Sequence, residues 1–184
     1  MVTIGIGGAH SKSGKTLMAC RLIAALGTDA LGRIPCAAIK CTPTQLYTSV
    51  VDDPDVLAEP ATDTGRMTEA GATEVRWVQA APDTKAEALG MALDSLADHP
   101  VVIIEGNSAV ELLSPDIVIF ILSEGGRLKP GADRILARAD VVLAPDGTPS
   151  DGLPHLPPGA RVFDPDEDWP AHVAVLLGER GARD

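Results

Sequence analysis

The sequence predicts an α/β fold, a mainly parallel sheet with helices on both faces, and three observations carry that prediction. Short β-branched or apolar runs alternate with helical segments along most of the 184 residues, the pattern of a doubly wound sheet. Two of the runs, VVII at 101–104 and DIVIFIL at 116–122, are almost continuously apolar, as befits parallel strands buried on both faces. A small-residue loop, AHSKSGKT, lies between the first strand and the first helix.

Each element has its own reason. Residues 2–6 form a short β-branched run that stops at Gly7-Gly8. Residues 15–26, KTLMACRLIAAL, are helical in composition and nearly all apolar, so the helix must be covered on most sides. Residues 34–40 make the second strand, with Pro35 at its start where a strand tolerates it. Residues 41–59 lose periodicity, carry Asp52, Asp53, Asp55 and Glu59, and read as a long loop, functional or mobile. A short helix over 62–70 begins at Thr62 or Asp63 and ends at Gly71. Residues 74–79 form a strand. Asp83 N-caps a helix through Ala97 whose Ala86, Leu89, Leu93 and Leu96 make one apolar stripe. A helix at 131–138 and a strand at 141–144 follow. Seven of the fifteen prolines lie between Pro145 and Pro170, so 145–160 reads as an extended connection, followed by a short strand at 161–163 and a closing helix at 171–177. The expected organisation is a single nucleotide-binding domain over 1–184, with a Pro-rich extension, 145–184, that wraps the sheet or packs on a partner.

Composition narrows the function. The chain is 45% hydrophobic and 22% charged, enough apolar surface to offset chain entropy. Its net charge of −11 and scattered Lys and Arg disfavour nucleic-acid binding. No apolar run approaches a membrane span, the N-terminus lacks a signal-peptide pattern, and Cys20, Cys36 and Cys41 are too few for a disulfide scaffold. A cytoplasmic, reduced protein is the expectation.

The loop Ala9-His10-Ser11-Lys12-Ser13-Gly14-Lys15-Thr16 is a phosphate-binding loop with Ala9 where the pattern has Gly. Small residues let backbone N–H groups turn inward around a phosphate, and the following helix adds unpaired N–H groups and its positive end. Lys15 reaches the β- and γ-phosphates, and Thr16 offers its hydroxyl to Mg²⁺. The bland reading is a chance Gly-Lys-Thr; the strand before it and the helix after it favour nucleotide binding. Lys12 adds charge to the site or is simply solvated, and His10 reads as a loop residue lining the site. Glu105 ends the buried run 101–104, expected beside the phosphate-loop strand. It either delivers a carboxylate to the Mg²⁺ region, where few protein ligands suffice, or is a solvent-facing acid.

At these residues the chain resembles the molybdopterin-guanine dinucleotide biosynthesis protein B (MobB) family, in the group of phosphate-loop NTPases with dethiobiotin synthetases and metal-insertion GTPases. The resemblance runs in order over about residues 2–122: TIGIGGAHSKSGKTLMACRLIAAL, AAIKCT, DTGRMTEAGATEV and VIIEGNS. It implies a nucleotide-binding accessory protein of molybdenum-cofactor or other metallocofactor maturation, working with a partner protein, often as a homodimer. Lys15 and Thr16 would bind phosphate and Mg²⁺; Lys40, Asp63 and Glu105 would line the same site, with Arg66 assisting from the Asp63 helix. The family's histidine-rich stretch after the second-strand Lys is here Cys41-Thr42-Pro43-Thr44, and the residues after Glu105-Gly106 are Asn107-Ser108. The late-strand place that reads guanine in related NTPases is VVLAPDGT, which offers Asp146 without an Asn-Lys pair.

Three functions follow: GTP binding with slow hydrolysis, Lys15 stabilising the phosphoryl charge and Glu105 or Asp63 ordering water; ATP-dependent transfer to a small molecule held by Lys40, Asn107 and the 41–60 loop; or a non-catalytic nucleotide switch. Cys36 and Cys41 read as packing residues rather than metal ligands, Trp77 and Trp169 likewise as packing residues, and the acids at 52–59 as a solvated loop. Arg127 and Lys129 face either the ligand crevice or solvent. No Gly-x-Ser-x-Gly or hydrolase triad is present.

Overall fold

The computed structural model describes residues 1–123, 125–145 and 156–182, and a mixed sheet runs through it. Its strands are β1 (Val2–Gly8), β2 (Cys36–Pro43), β3 (Ser49–Val51), β4 (Val75–Ala80), β5 (Val101–Glu105), β6 (Ile117–Ile121), β7 (Val141–Leu143) and β8 (Arg161–Phe163). Their spatial order is β3-β4-β2-β5-β1-β6-β7-β8. β3 pairs antiparallel with β4, and the other neighbours are parallel.

The helices are α1 (Lys15–Leu26), α2 (Pro54–Leu57), α3 (Asp63–Glu69), α4 (Lys85–Asp94), α5 (Asn107–Leu113), α6 (Ala132–Leu136) and α7 (Trp169–Gly181). Alternation within the central strands assigns them to two faces. Ile4, Ile6, Val101, Ile103, Ile117 and Ile119 pack with Met18 and Leu22 of α1, Met67 of α3 and Trp169 and Val173 of α7. On the other face Val102 and Ile104 pack with Leu89 and Ala92 of α4, while Val118 and Phe120 pack with Val110 of α5 and Ile135 of α6. Both faces of β5 and β6 are therefore covered, which explains their unbroken apolar runs. Where β1 turns toward the second face it carries glycine: a Cβ on Gly5 would stand 2.4 Å from Pro115, and one on Gly7 2.8 Å from Ile135.

The stretch 41–59 is not one long loop. β2 continues through Pro43, and Ser49, Val50 and Val51 pair with Gln79, Val78 and Trp77 at the sheet edge. Asp53 then caps α2 by accepting from the Asp55 N–H, with Pro54 in the first turn. A second difference is α5, which begins at Asn107 directly after β5. The helix over 83–97 is shorter than expected, and Thr84 rather than Asp83 holds its N-cap position.

The C-terminal segment packs on α1. Trp169 is fully buried, and the Arg21 guanidinium lies 6.0 Å from its ring centre. Arg21 also donates to the carbonyls of Pro165, Asp166 and Glu167. The expected extended connection falls largely on residues 146–155, which with Asp146 lie outside the described residues. Among the described residues no helix is long and apolar enough to cross a membrane.

Candidate functional site

The site forms where β1, β2 and β5 end, at the carboxyl edge of the sheet, the usual ligand position in open α/β sheets. β1 delivers the loop 9–16. The Ala9 N–H donates to the Ile121 carbonyl at 2.8 Å, and the Ala9 carbonyl accepts the Lys129 N–H at 2.9 Å. This pins the leading corner of the loop between β6 and the segment before α6. Ala9 is fully buried and is not among the residues with positive φ, so the position needs a small side chain and not glycine's conformational freedom. Gly14 is the opposite case: with φ +83° it stands in the left-handed region and precedes α1 as its N-cap. Gly8 is required by proximity, since a Cβ there would lie 2.1 Å from Ser13 Oγ.

Within the loop, Lys15 is buried and its ammonium donates to the His10 carbonyl at 2.8 Å and to Ser13 Oγ at 3.4 Å. Burial lowers its pKa from the usual lysine value, against the opposing pull of Glu105. His10, Ser11, Lys12 and Gly14 are exposed and Ser13 is half-buried. The His10 ring takes part in the loop turn, with Nδ1 accepting the Lys12 N–H at 3.3 Å.

Register places the charged cluster. Lys40 and Glu105 are direct partners in the β2–β5 ladder and share the face covered by α1 and α3. Thr16, in the first turn of α1, donates to Glu105 Oε2 at 3.2 Å. Asp63, the first residue of α3, pairs with the Lys40 ammonium at 2.6 Å, and Lys40 also pairs with Glu105. Glu105 is 2% exposed, and the Lys40 ammonium is its ion-pair partner. Lys40 is half-buried, and this desolvation disfavours its charge, but the Glu105 and Asp63 carboxylates outweigh it and raise its pKa. Burial likewise acts against the Asp63 charge, and the Lys40 contact overrides it, holding the carboxyl below the usual aspartate value. Arg66 is exposed and lines the cleft above Thr16 and Asp63.

Asn107 lines the cleft beside Lys15 and Glu105 and also makes two backbone contacts. Its amide oxygen accepts the Gly8 N–H at 3.0 Å and its amide nitrogen donates to the Gly8 carbonyl at 2.9 Å. It therefore ties the end of β1 to the start of α5. Gly106 makes the turn between Glu105 and Asn107 at φ +130°.

Two clefts meet over this cluster. One, of about 320 Å³, runs from Lys12 and Gly14 past Thr16 to Arg66. The other, of about 380 Å³, runs from Lys15 past Gly106 and Ser108 to Lys85. Ser11, Lys15, Lys40, Asp63 and Glu105 border both. Lys129 lines the second cleft, while Arg127 is exposed.

Among solved structures, the chain is similar to HypB from Helicobacter pylori, determined in complex with nickel. The two are 16% identical, the match covers 100% of this chain and 88% of HypB, and the TM-score is 0.59. The fold is that of a P-loop NTPase. No protein-family model matches the chain, and no curated protein matches it.

The oxygens of Thr16, Glu105 and Asp63 suit a hard divalent cation such as Mg²⁺, which keeps several waters and needs few protein ligands. Among the described residues no group of three or more His, Cys, Asp and Glu is arranged to hold a metal. Cys36 and Cys41 are buried and free, and burial raises both thiol pKa values, that of Cys36 to about 11. Trp77 is half-buried and donates to Thr42 Oγ1 at 3.0 Å.

One residue at the far end of the second cleft, away from the loop 9–16, escapes the sequence reading. Lys85 is buried and lines the second cleft. A signal exists: it is the first residue of α4, where a cation meets the positive end of the helix dipole.

Proposed function

We propose that this chain binds a nucleoside triphosphate with Mg²⁺ and hydrolyses it slowly, as an accessory protein of metallocofactor maturation. The observation that carries the reading is the convergence of Lys15 and Thr16 of the loop with Glu105 at the neighbouring strand end, 3.2 Å from Thr16 Oγ1. Lys15 would hold the β- and γ-phosphates, with the loop N–H groups and the N-terminus of α1 around them. Thr16 and Glu105 would hold Mg²⁺, which when bound neutralises phosphate charge. Glu105 or Asp63 would orient the attacking water, and Lys40 would hold both carboxylates in place through its ion pairs. Ala9 to Thr16 would contact the nucleotide, and Arg66 would add positive charge from α3.

The likeness to HypB, solved with nickel, supports a metallocofactor setting, and the MobB resemblance suggests molybdenum as its metal and GTP as its nucleotide. A second reading, phosphoryl transfer from ATP to a small molecule, is favoured by the cleft of about 380 Å³ beyond Lys15, a volume typical of small-molecule pockets.

Equilibrium binding of GTP and ATP with and without Mg²⁺, followed by phosphate release, tests both. Turnover without an added acceptor supports hydrolysis, and turnover only with a metabolite supports transfer. Lys15→Ala should lose phosphate affinity; unchanged affinity would overturn the site. Light scattering in the same samples tests the homodimer.

A further inference from the structure

We propose that the cleft between Lys15 and α4 binds a second ligand beside the nucleotide, a small molecule bearing a carboxylate or phosphate, with Lys85 holding its anionic end. This deepens the nucleotide-site reading by giving that site a second ligand of stated charge, and it rests on that reading for what the ligand meets at Lys15.

Three features of Lys85 call for an anion beside it. The residue is buried, with 8% of it exposed. It forms no hydrogen bond or ion pair among the described residues, and Asp83 and Glu87, its acidic neighbours in sequence, are exposed. It begins α4, where the helix dipole repels a cation. Every fully covered side-chain nitrogen or oxygen among the described residues has a hydrogen-bond partner. The unpaired Lys85 ammonium must therefore keep contact with open space, and the space Lys85 lines is this cleft. An anion there would meet the ammonium and the amide end of α4 together.

The surroundings set the ligand's sign and size. Four lysines, Lys15, Lys40, Lys85 and Lys129, face two carboxylates, Asp63 and Glu105, around the cleft. Lys40 satisfies both carboxylates, so no acid of the cleft is left to pair with Lys85. The whole chain carries −11, which makes this a local positive sink in an acidic surface. The cleft straddles the carboxyl edge of the sheet. Lys15 and Asp63 stand on the α1/α3 side, and Lys85 and Ser108 on the α4/α5 side. A ligand anchored at Lys85 would thus present its other end to the phosphates at Lys15. About 380 Å³ admits a metabolite and not a macromolecule.

The test is calorimetric titration of succinate, and separately of inorganic phosphate, into full-length protein saturated with Mg²⁺ and a non-hydrolysable triphosphate analogue. The expected result is one saturable anion site, weakened tenfold or more by Lys85→Met and largely recovered by Lys85→Arg, with nucleotide affinity unchanged in both. The succinate and phosphate arms separate a carboxylate ligand from a phosphorylated one. Equal anion affinity in wild type and a folded Lys85→Met protein, or no saturation by either anion up to roughly 20 mM, would overturn the proposal. Where no nucleotide binds at all, the function reading fails by itself. The same titration in nucleotide-free Lys15→Ala protein then decides the Lys85 site independently.

Discussion

Replacing Lys40 by Met removes the cation that Glu105 depends on while keeping most of the side-chain volume. Glu105 is 2% exposed, and the Lys40 side chain is 14% exposed. Removing one partner of such a pair leaves a buried charge without compensation, at a cost of about 3–5 kcal/mol. The Asp63 half contributes less: its side chain is 43% exposed, and water screens it to about 0–1 kcal/mol. Urea unfolding at neutral pH without divalent cations should therefore show Lys40→Met destabilised by about 3–5 kcal/mol. Adding Glu105→Gln should recover part of the loss, since the second change removes the stranded charge. The pH dependence has a definite sign. The raised Lys40 pKa contributes stability that is complete below the usual lysine value and lost as pH rises through the higher folded value. The depressed Asp63 pKa contributes stability present above the usual aspartate value and lost as pH falls through the lower folded value. The two define a plateau across neutrality. A loss under about 1 kcal/mol, or strict additivity in the double variant, would refute the reasoning.

Three further outcomes are expected. Gly14→Ala should cost about 1–2 kcal/mol because φ is +83° and should weaken nucleotide binding, whereas Ala9→Gly should cost about 1 kcal/mol and leave binding unchanged; unfolding and equilibrium binding check both. Asn107→Ala should lose about 1–3 kcal/mol by leaving both Gly8 backbone groups without their partner, and hydrogen exchange should quicken over residues 8–13. Cys36, with its pKa near 11, should resist iodoacetamide in the folded protein at about pH 8, where only about one thiol in a thousand is ionised; fast labelling there would show that its burial is wrong.

How far the sequence carries depends on how local the cause is. The central strands are legible because both of their faces are buried, which turns 101–104 and 117–121 into apolar runs that need no partner to be recognised. The loop 9–16 is legible because its residue types are fixed by backbone geometry at a strand-to-helix turn. β3 is not, since its three residues become a strand only by pairing with β4 across 26 or more positions. α5 is hidden because its seven residues begin directly at a glycine turn. Asn107 reads as a site residue and lines the cleft, but the chain does not show that its amide also bonds Gly8, at a sequence distance of 99. The adjacency of Lys40 and Glu105 is a matter of ladder register, which no spacing in the chain encodes. Lys85 carries a local signal, a cation opening a helix, and becomes informative only once its burial is seen.

The strap formed by Arg21 has a consequence for how the molecule would respond to being severed. Residues 156–182 are attached to the rest by the β7–β8 ladder, by Trp169 seated in the core and by three carbonyls gripped by one guanidinium. A chain nicked within 146–155 would still have both pieces clasped to each other. The helix that opens at the phosphate loop would then still be backed by Trp169 and its neighbours.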